Sequence, residues 1–132
     1  MTPETELYLA KAHKLLAEAE TMLVVQLHDA AGRTAYLAGF HAAQALISEL
    51  TGKSIKTHRG VHGEFHRLMK DIAGFDGELK AFLSKSYSLK SIADYETGPD
   101  AEVSVARATF AVEQAKRFVR FFDEFLAPRP PP

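Results

Sequence analysis

The stretch from Gly32 to Ile47 reads GRTAYLAGFHAAQALI, and its large apolar side chains recur at the spacing of one helical face. A helix is therefore predicted here, ending near Gly52, where glycine can take the left-handed capping conformation. The same stretch carries Arg33 and His41, a charged and a titratable side chain on a helix that otherwise looks buried. The apolar face consists of Tyr36, Phe40, Ala43, Ile47 and Leu50.

Helical patterns continue on both sides of this stretch. A first helix is expected from a cap at Thr2 to about Leu27, followed by a break over residues 28–32. Thr57 and Asp76 can cap a third and a fourth helix, the fourth running towards Tyr95. A last helix begins near residue 101. It is predicted to bury Val105, Phe110, Phe118, Phe121, Phe122 and Phe125.

These patterns predict the fold class. No segment alternates apolar and polar residues with a period of two, so no strand is expected. Long helices with short connections indicate an all-α fold, an antiparallel four- or five-helix bundle. At 132 residues the chain fits one domain, predicted over residues 1–126, with a proline-rich disordered tail at 127–132.

Composition narrows the possible functions. The chain has no cysteine, which removes disulfides, thiol nucleophiles and cysteine-type zinc sites. The net charge of -1 gives no global attraction to nucleic acid, so such binding would need a local basic patch. There is no apolar run of the roughly 20 residues that a membrane span needs. A cytoplasmic protein without membrane association is the expectation, since the first residues are acidic where a secretory signal is basic.

Arg33 and His41 are the first candidate site. They lie eight positions apart, so both project from roughly one side of the helix. A guanidinium can hold a phosphate in a bidentate contact, and an imidazole can move a proton, which are the two functions that RNA cleavage needs. The structural alternative is that Arg33 is exposed or paired with Asp29, and that His41 fills a half-buried slot beside Phe40.

Three sequence blocks resemble a known family. They are RTAYLAGFHAA at residues 33–43, KTHRGV at 56–61 followed by Phe65, and LKSIADY at 89–95. In this order they resemble consecutive blocks of a HEPN domain. The resemblance implies a helical bundle that commonly forms homodimers. It also implies frequent pairing with a minimal nucleotidyltransferase in toxin and antitoxin systems.

The resemblance also implies candidate catalytic residues. Many members of the family are metal-independent RNases that use an arginine and a histidine, here Arg33 and His41, with Asp94 and Tyr95 in the third block as further candidates. Seven residues separate Arg33 from His41, a longer interval than those RNases have. The third block carries Lys90 where relatives often have arginine. If the helices pack as in the family, these groups would meet in one polar cleft.

The segment around the second block is basic and rich in histidine. Lys56, His58 and Arg59, together with Lys90, are the candidate residues for binding RNA or a nucleotide. His58, His62 and His66 recur every four residues, a spacing at which two imidazoles can share a zinc ion. Three in a row on a straight helix span about 12 Å and cannot converge on one metal. No cofactor or metal is therefore expected, and a solvated or dimer-facing histidine face is favoured.

Three functions remain open at this point. The first is a non-catalytic module that dimerises and binds a nucleotidyltransferase partner, a nucleotide or RNA. The second is a metal-independent RNase toxin that uses Arg33 and His41. The third is a histidine-rich metal-binding protein. The phenylalanines of the last helix cover more than one narrow stripe, which favours a homodimer.

Overall fold

The computed structural model describes residues 1–98 and 102–127, and within them all regular structure is helical. The all-α prediction is confirmed. The predicted fourth helix is divided at Ala81 into a single turn and a longer helix. The tail predicted at 127–132 lies, from residue 128 onwards, outside the described residues. The helices are α1 (Pro3–Val24), α2 (His28–Thr51), α3 (His58–Met69), α4 (Gly77–Lys80), α5 (Phe82–Tyr95) and α6 (Val105–Leu126).

Short polar side chains define where several helices begin. The Thr2 hydroxyl accepts a hydrogen bond from the Thr5 amide, and Thr57 and Asp76 cap α3 and α4 in the same way. All three caps are as predicted. α6 starts later than expected, at Val105, because the Ser104 hydroxyl accepts from the Arg107 amide and satisfies one of the free donors of the first turn.

The connection between α1 and α2 is shorter than predicted. The expected break over residues 28–32 was wrong, because α2 already begins at His28. Only three residues join the two helices, and Gln26 among them has a φ of 66°, in the left-handed region. The turn is therefore tight enough for α1 to fold back against α2 along its length.

α2 is the central helix of the bundle. It packs against α1, α3, α5 and α6, and every residue from Ala42 to Ser48 is buried. Alanine and glycine make up much of α2, so neighbouring helices can approach it from several sides. Leu50 is 46% exposed, so the predicted apolar face ends one turn earlier than expected.

Two glycines set the distance between α2 and α5. A Cβ atom at Gly39 would lie 2.4 Å from Cε1 of Phe82, and one at Gly32 would lie 3.4 Å from Cδ1 of Leu89. Gly32 and Gly39 are seven residues apart on α2, and their partners Leu89 and Phe82 are seven residues apart on α5 in the reverse order. The two helices are therefore antiparallel. The close approach brings the beginning of α2 to the end of α5.

α6 buries one stripe rather than most of its phenylalanines. Phe118 and Phe122 are fully buried and pack with Phe65 and Phe75. Burial was also predicted for Val105, Phe110 and Phe125. That prediction was wrong, because these residues lie outside the stripe that faces α2. Val105 is 57% exposed, Phe110 54% and Phe125 39%.

Candidate functional site

Arg33, Lys90 and Asp94 form an ion-pair cluster where α2 begins and α5 ends. The Arg33 Nε donates to Oδ1 of Asp94 at 2.6 Å, and the Lys90 ammonium donates to Oδ2 at 2.8 Å. The Arg33 side chain is 41% exposed, and the other two are more enclosed. The hydrogen bond from Lys90, together with that from Arg33, lowers the pKa of Asp94, and the Asp94 bond raises the pKa of Lys90. Asp94 and Lys90 therefore stay charged near neutral pH, and the cluster of two basic side chains and one carboxylate has a net charge of +1.

A second cluster centres on the hydroxyl of Tyr36. The Tyr36 side chain is fully buried, and its oxygen lies 2.7 Å from Nδ1 of His58 and 2.8 Å from Nε2 of His62. A phenol has one hydrogen to donate, so it donates to one ring and accepts from the other when both histidines are neutral. The ring of Tyr87 covers the cluster, with its centroid 5.3 Å from those of Tyr36 and His58.

Burial controls the protonation of this cluster. It raises the pKa of Tyr36, with Tyr87 as a smaller contribution, so the phenol stays protonated. Burial also lowers the pKa of His58, helped by the positive charge of Lys90, and lowers the pKa of His62, helped by its histidine neighbours. Both imidazoles are therefore neutral near pH 7. The influence of Lys90 on His58 links the two clusters.

His41 belongs to a different hydrogen-bond network from Arg33. Its Nδ1 lies 2.7 Å from Oε1 of Gln44, whose amide nitrogen donates to the Ile55 carbonyl at 2.8 Å. The Gln44 oxygen can only accept, so His41 carries its hydrogen on Nδ1 and offers Nε2 as an acceptor. The ring lies half-buried beside Phe40, and burial lowers its pKa. We refer to His41, His58 and His62 as the three half-buried histidines.

Arg33 and His41 are not in hydrogen-bond contact. Eight residues of helix separate them by about 12 Å along the axis. Arg33 pairs with Asp94 instead of Asp29, whose carboxylate accepts from the Val103 amide at 2.7 Å. Of the two structural alternatives for Arg33, exposure or pairing with Asp29, the pairing is wrong, and the side chain is 41% exposed.

Tyr95 lies at the edge of the ion-pair cluster. It is 73% exposed, and the Lys90 ammonium is 5.4 Å from its ring centroid. Tyr95 does not cover the core, because it is the last residue of α5 and its side chain is exposed. The phenol is accessible to a ligand at the cluster.

The basic segment keeps only part of its positive charge free. Lys53 and Arg67 both pair with Glu64 on α3. Lys56 and Arg59 are exposed and have no acidic partner within the described ranges. These two remain available to an anion.

The histidine row does not form an exposed face. His58 and His62 point towards Tyr36, and Nε2 of His66 lies 3.1 Å from the Ser84 hydroxyl. The expectation of a solvated or dimer-facing row was wrong, because the row faces α2 and α5 of the same chain. Over residues 1–98 and 102–127, no group of three or more histidine or acidic side chains is arranged to hold a metal ion.

Sequence reasoning missed the centre of the second cluster. Periodicity places Tyr36 on the apolar face, and no motif in the sequence marks Tyr87 or Gln44 as a site residue. A tyrosine on a fully buried face is itself a signal, because its hydroxyl needs a hydrogen-bond partner inside the protein. The histidines of the second block were the available partners.

Comparisons with known proteins agree with this architecture. The family model described as HEPN domain matches residues 5–125, which include both clusters. A UPF0332 protein of Archaeoglobus fulgidus is 32% identical over 117 residues, which are 89% of this chain and 90% of that protein. The chain belongs to the HEPN domain family. In the described part of the chain, no helix combines the length and apolar character required to cross a bilayer.

Proposed function

We propose that this HEPN chain is a binding module for the phosphate of RNA or of a nucleotide. It acts in the cytoplasm as a homodimer, together with a minimal nucleotidyltransferase partner of a toxin-antitoxin pair. The observation that supports phosphate binding is the convergence of Arg33 from α2 and Lys90 from α5 on one carboxylate. Two cations held beside a single anion leave an unbalanced positive charge at an accessible edge.

The geometry of Arg33 suits a phosphate. Only its Nε is bonded to Asp94, and the two terminal nitrogens have no other partner in the described residues. A guanidinium with free terminal donors can bind phosphate oxygens in a bidentate contact. Asp94 fixes both cations in place before a ligand arrives, and the exposed Tyr95 ring beside Lys90 offers a surface on which a base can stack.

A binding assay with matched variants tests this proposal. The anisotropy of a fluorescently labelled single-stranded RNA would be measured with wild type, Arg33→Ala and Arg120→Ala. Arg120 is an exposed arginine in the groove between α1 and α6 and serves as the control. Arg33→Ala should bind more weakly and reduce the slope of log affinity against log salt by about 0.7, the value for one single-strand phosphate contact. Equal losses in both variants would contradict the proposal.

The proposed dimer can use the exposed aromatic end of α6. Phe121 and Phe125 stack with centroids 6.0 Å apart, and Phe125 is 39% exposed. Light scattering after size-exclusion chromatography should give a dimer for wild type and for Leu7→Glu, an exposed control on α1, and a monomer for Phe125→Glu.

Copurification with the product of a neighbouring nucleotidyltransferase gene tests the partner. A monomeric wild type that recovers no such protein would refute this part of the proposal.

RNA cleavage is the second candidate. It is favoured by the His41 tautomer, which leaves Nε2 free as a proton acceptor, and by the lowered pKa, which keeps the ring neutral. In this reaction Arg33 would bind the scissile phosphate and His41 would take the proton of the attacking 2′-hydroxyl, while the bond from phosphorus to the 5′-oxygen breaks and water protonates that leaving oxygen. Cleavage in the presence of a chelator should be lost in both Arg33→Ala and His41→Ala. Equal cleavage by wild type and both variants would exclude these roles.

A further inference from the structure

A groove between α5 and α6 lies apart from both clusters. It has a volume of about 200 Å³ and is lined by side chains from the two helices and by Glu78 of α4. On each helix the lining positions follow the spacing i, i+3, i+4 and i+7, so each helix presents one continuous face. These positions are Phe82, Lys85, Ser86 and Leu89 on α5, and Arg107, Phe110, Ala111 and Gln114 on α6.

One end of the groove has a hydrogen-bond acceptor without a partner. Gln114 is only 6% exposed, and its amide nitrogen donates to the Glu78 carboxylate at 2.8 Å. This bond fixes the orientation of the amide, and it leaves Oε1 buried with no hydrogen-bond partner among the described residues. A buried carbonyl oxygen in that state costs free energy, and a ligand donor recovers it when the Gln114 side chain turns to bring this oxygen to the groove surface.

The rest of the groove supplies apolar walls and positive charge. Phe82 and Phe110 contribute aromatic rings, and Phe110 is 54% exposed although it lines a concave surface. Arg107 lies two helical turns from Gln114, about 10 Å along the axis. Its only side-chain partner in the described ranges is the Ser88 hydroxyl at 3.3 Å, and Lys85 has no acidic partner there.

We propose that this groove binds a small aromatic acid. Its single ring packs between Phe82 and Phe110, a hydroxyl or N–H donor at one end bonds to Gln114, and an anionic group at the other end meets Arg107 and Lys85. The volume supports this class of ligand, since an apolar cavity of about 150 Å³ already holds benzene. Sites for larger ligands usually begin at about 300 Å³, so the groove is too small to enclose a whole nucleotide.

Calorimetric titration with three related probes tests the proposal. 4-Hydroxybenzoate carries both the donor and the charge, benzoate lacks the donor, and 4-hydroxybenzamide lacks the charge. Wild type should bind 4-hydroxybenzoate at least fivefold more tightly than either of the others, the ratio expected for one hydrogen bond or one partly screened charge contact. No binding of 4-hydroxybenzoate, or equal binding of all three, would overturn the proposal.

Variants locate the binding in the groove. Gln114→Leu should bind 4-hydroxybenzoate and benzoate equally, and Arg107→Gln should remove the preference over 4-hydroxybenzamide. Phe110→Ala changes an exposed residue and should lower the affinity for all three probes. Arg120→Gln lies outside the groove and should leave the three affinities unchanged. If Gln114→Leu does not fold, the two surface variants still decide the outcome. Unchanged affinity in Arg107→Gln and Phe110→Ala would overturn the proposal, as would tighter binding of adenosine monophosphate that is lost in Phe110→Ala.

Discussion

Replacing Gly39 with alanine tests whether the close approach of α2 and α5 is fixed by the missing side chain. The new Cβ would lie 2.4 Å from Cε1 and 3.0 Å from Cδ1 of Phe82. The Phe82 ring is only 4% exposed and packs on Phe118, so it cannot turn away into solvent. One of the two helices must therefore shift.

The expected effect combines two opposing contributions. Alanine stabilises a helix by up to about 1 kcal/mol relative to glycine. Overpacking of a buried site costs about 1–3 kcal/mol, and an overlap with an enclosed ring belongs at the upper end. The free energy of unfolding should then fall by about 2 kcal/mol, which for 132 residues lowers the melting temperature by about 7 °C.

Gly63→Ala is the matched control, because a Cβ atom there has no neighbour within 4 Å. This exposed position on α3 should show only the gain in helix propensity, and the melting temperature should rise by about 3 °C. Both variants would be measured by thermal unfolding followed by circular dichroism. If Gly39→Ala is as stable as wild type while Gly63→Ala gains stability, the spacing of α2 and α5 does not depend on Gly39.

Three further predictions concern the two clusters and the three half-buried histidines. Asp94→Asn should strengthen binding of single-stranded RNA about fivefold, because it removes a competing charge worth roughly 1 kcal/mol and keeps an oxygen that can accept from one of the cations; unchanged binding would contradict the proposed role of the cations. Tyr36→Phe should lower the free energy of unfolding in urea by about 1–2 kcal/mol, since it leaves two half-buried imidazoles without their shared partner. Tyr8→Phe, which removes an exposed hydroxyl, should cost less than about 0.5 kcal/mol. Folding lowers the pKa of the three half-buried histidines below 6.5, so the unfolded chain binds more protons than the folded chain as the pH falls. The free energy of unfolding should therefore fall between pH 7 and pH 5. A double variant His58→Gln, His62→Gln with an unchanged pH profile would refute this prediction.

Local sequence was sufficient where a short-range interaction decides the structure. The caps at Thr2, Thr57 and Asp76 were predictable because each involves a side chain and an amide two or three residues away. The beginning of α2 was not predictable, because Gly32 is helical only in the context of tertiary packing. Its backbone is buried against Leu89, which lies 57 positions further along the chain, and this packing outweighs the weak helix propensity of glycine.

The candidate site depends more strongly on long-range geometry. Arg33 and Asp94 are 61 residues apart, and their pairing requires the antiparallel register of α2 and α5. The resemblance to HEPN domains indicated that these segments could meet, but composition and spacing alone could not. The Tyr36 cluster was missed because periodicity assigns a residue to a face and says nothing about which polar group its hydroxyl will meet.

The phenol at the centre of the second cluster makes its two imidazoles interdependent. If His58 accepts the phenolic hydrogen at Nδ1, His62 must donate from Nε2, so both rings then carry their hydrogen on Nε2; in the reverse arrangement both carry it on Nδ1. A proton that arrives at either ring can leave from the other after the hydrogens along this short chain exchange places. The protonation of His58 is therefore coupled to that of His62 through one phenol, while burial still lowers the pKa of each ring.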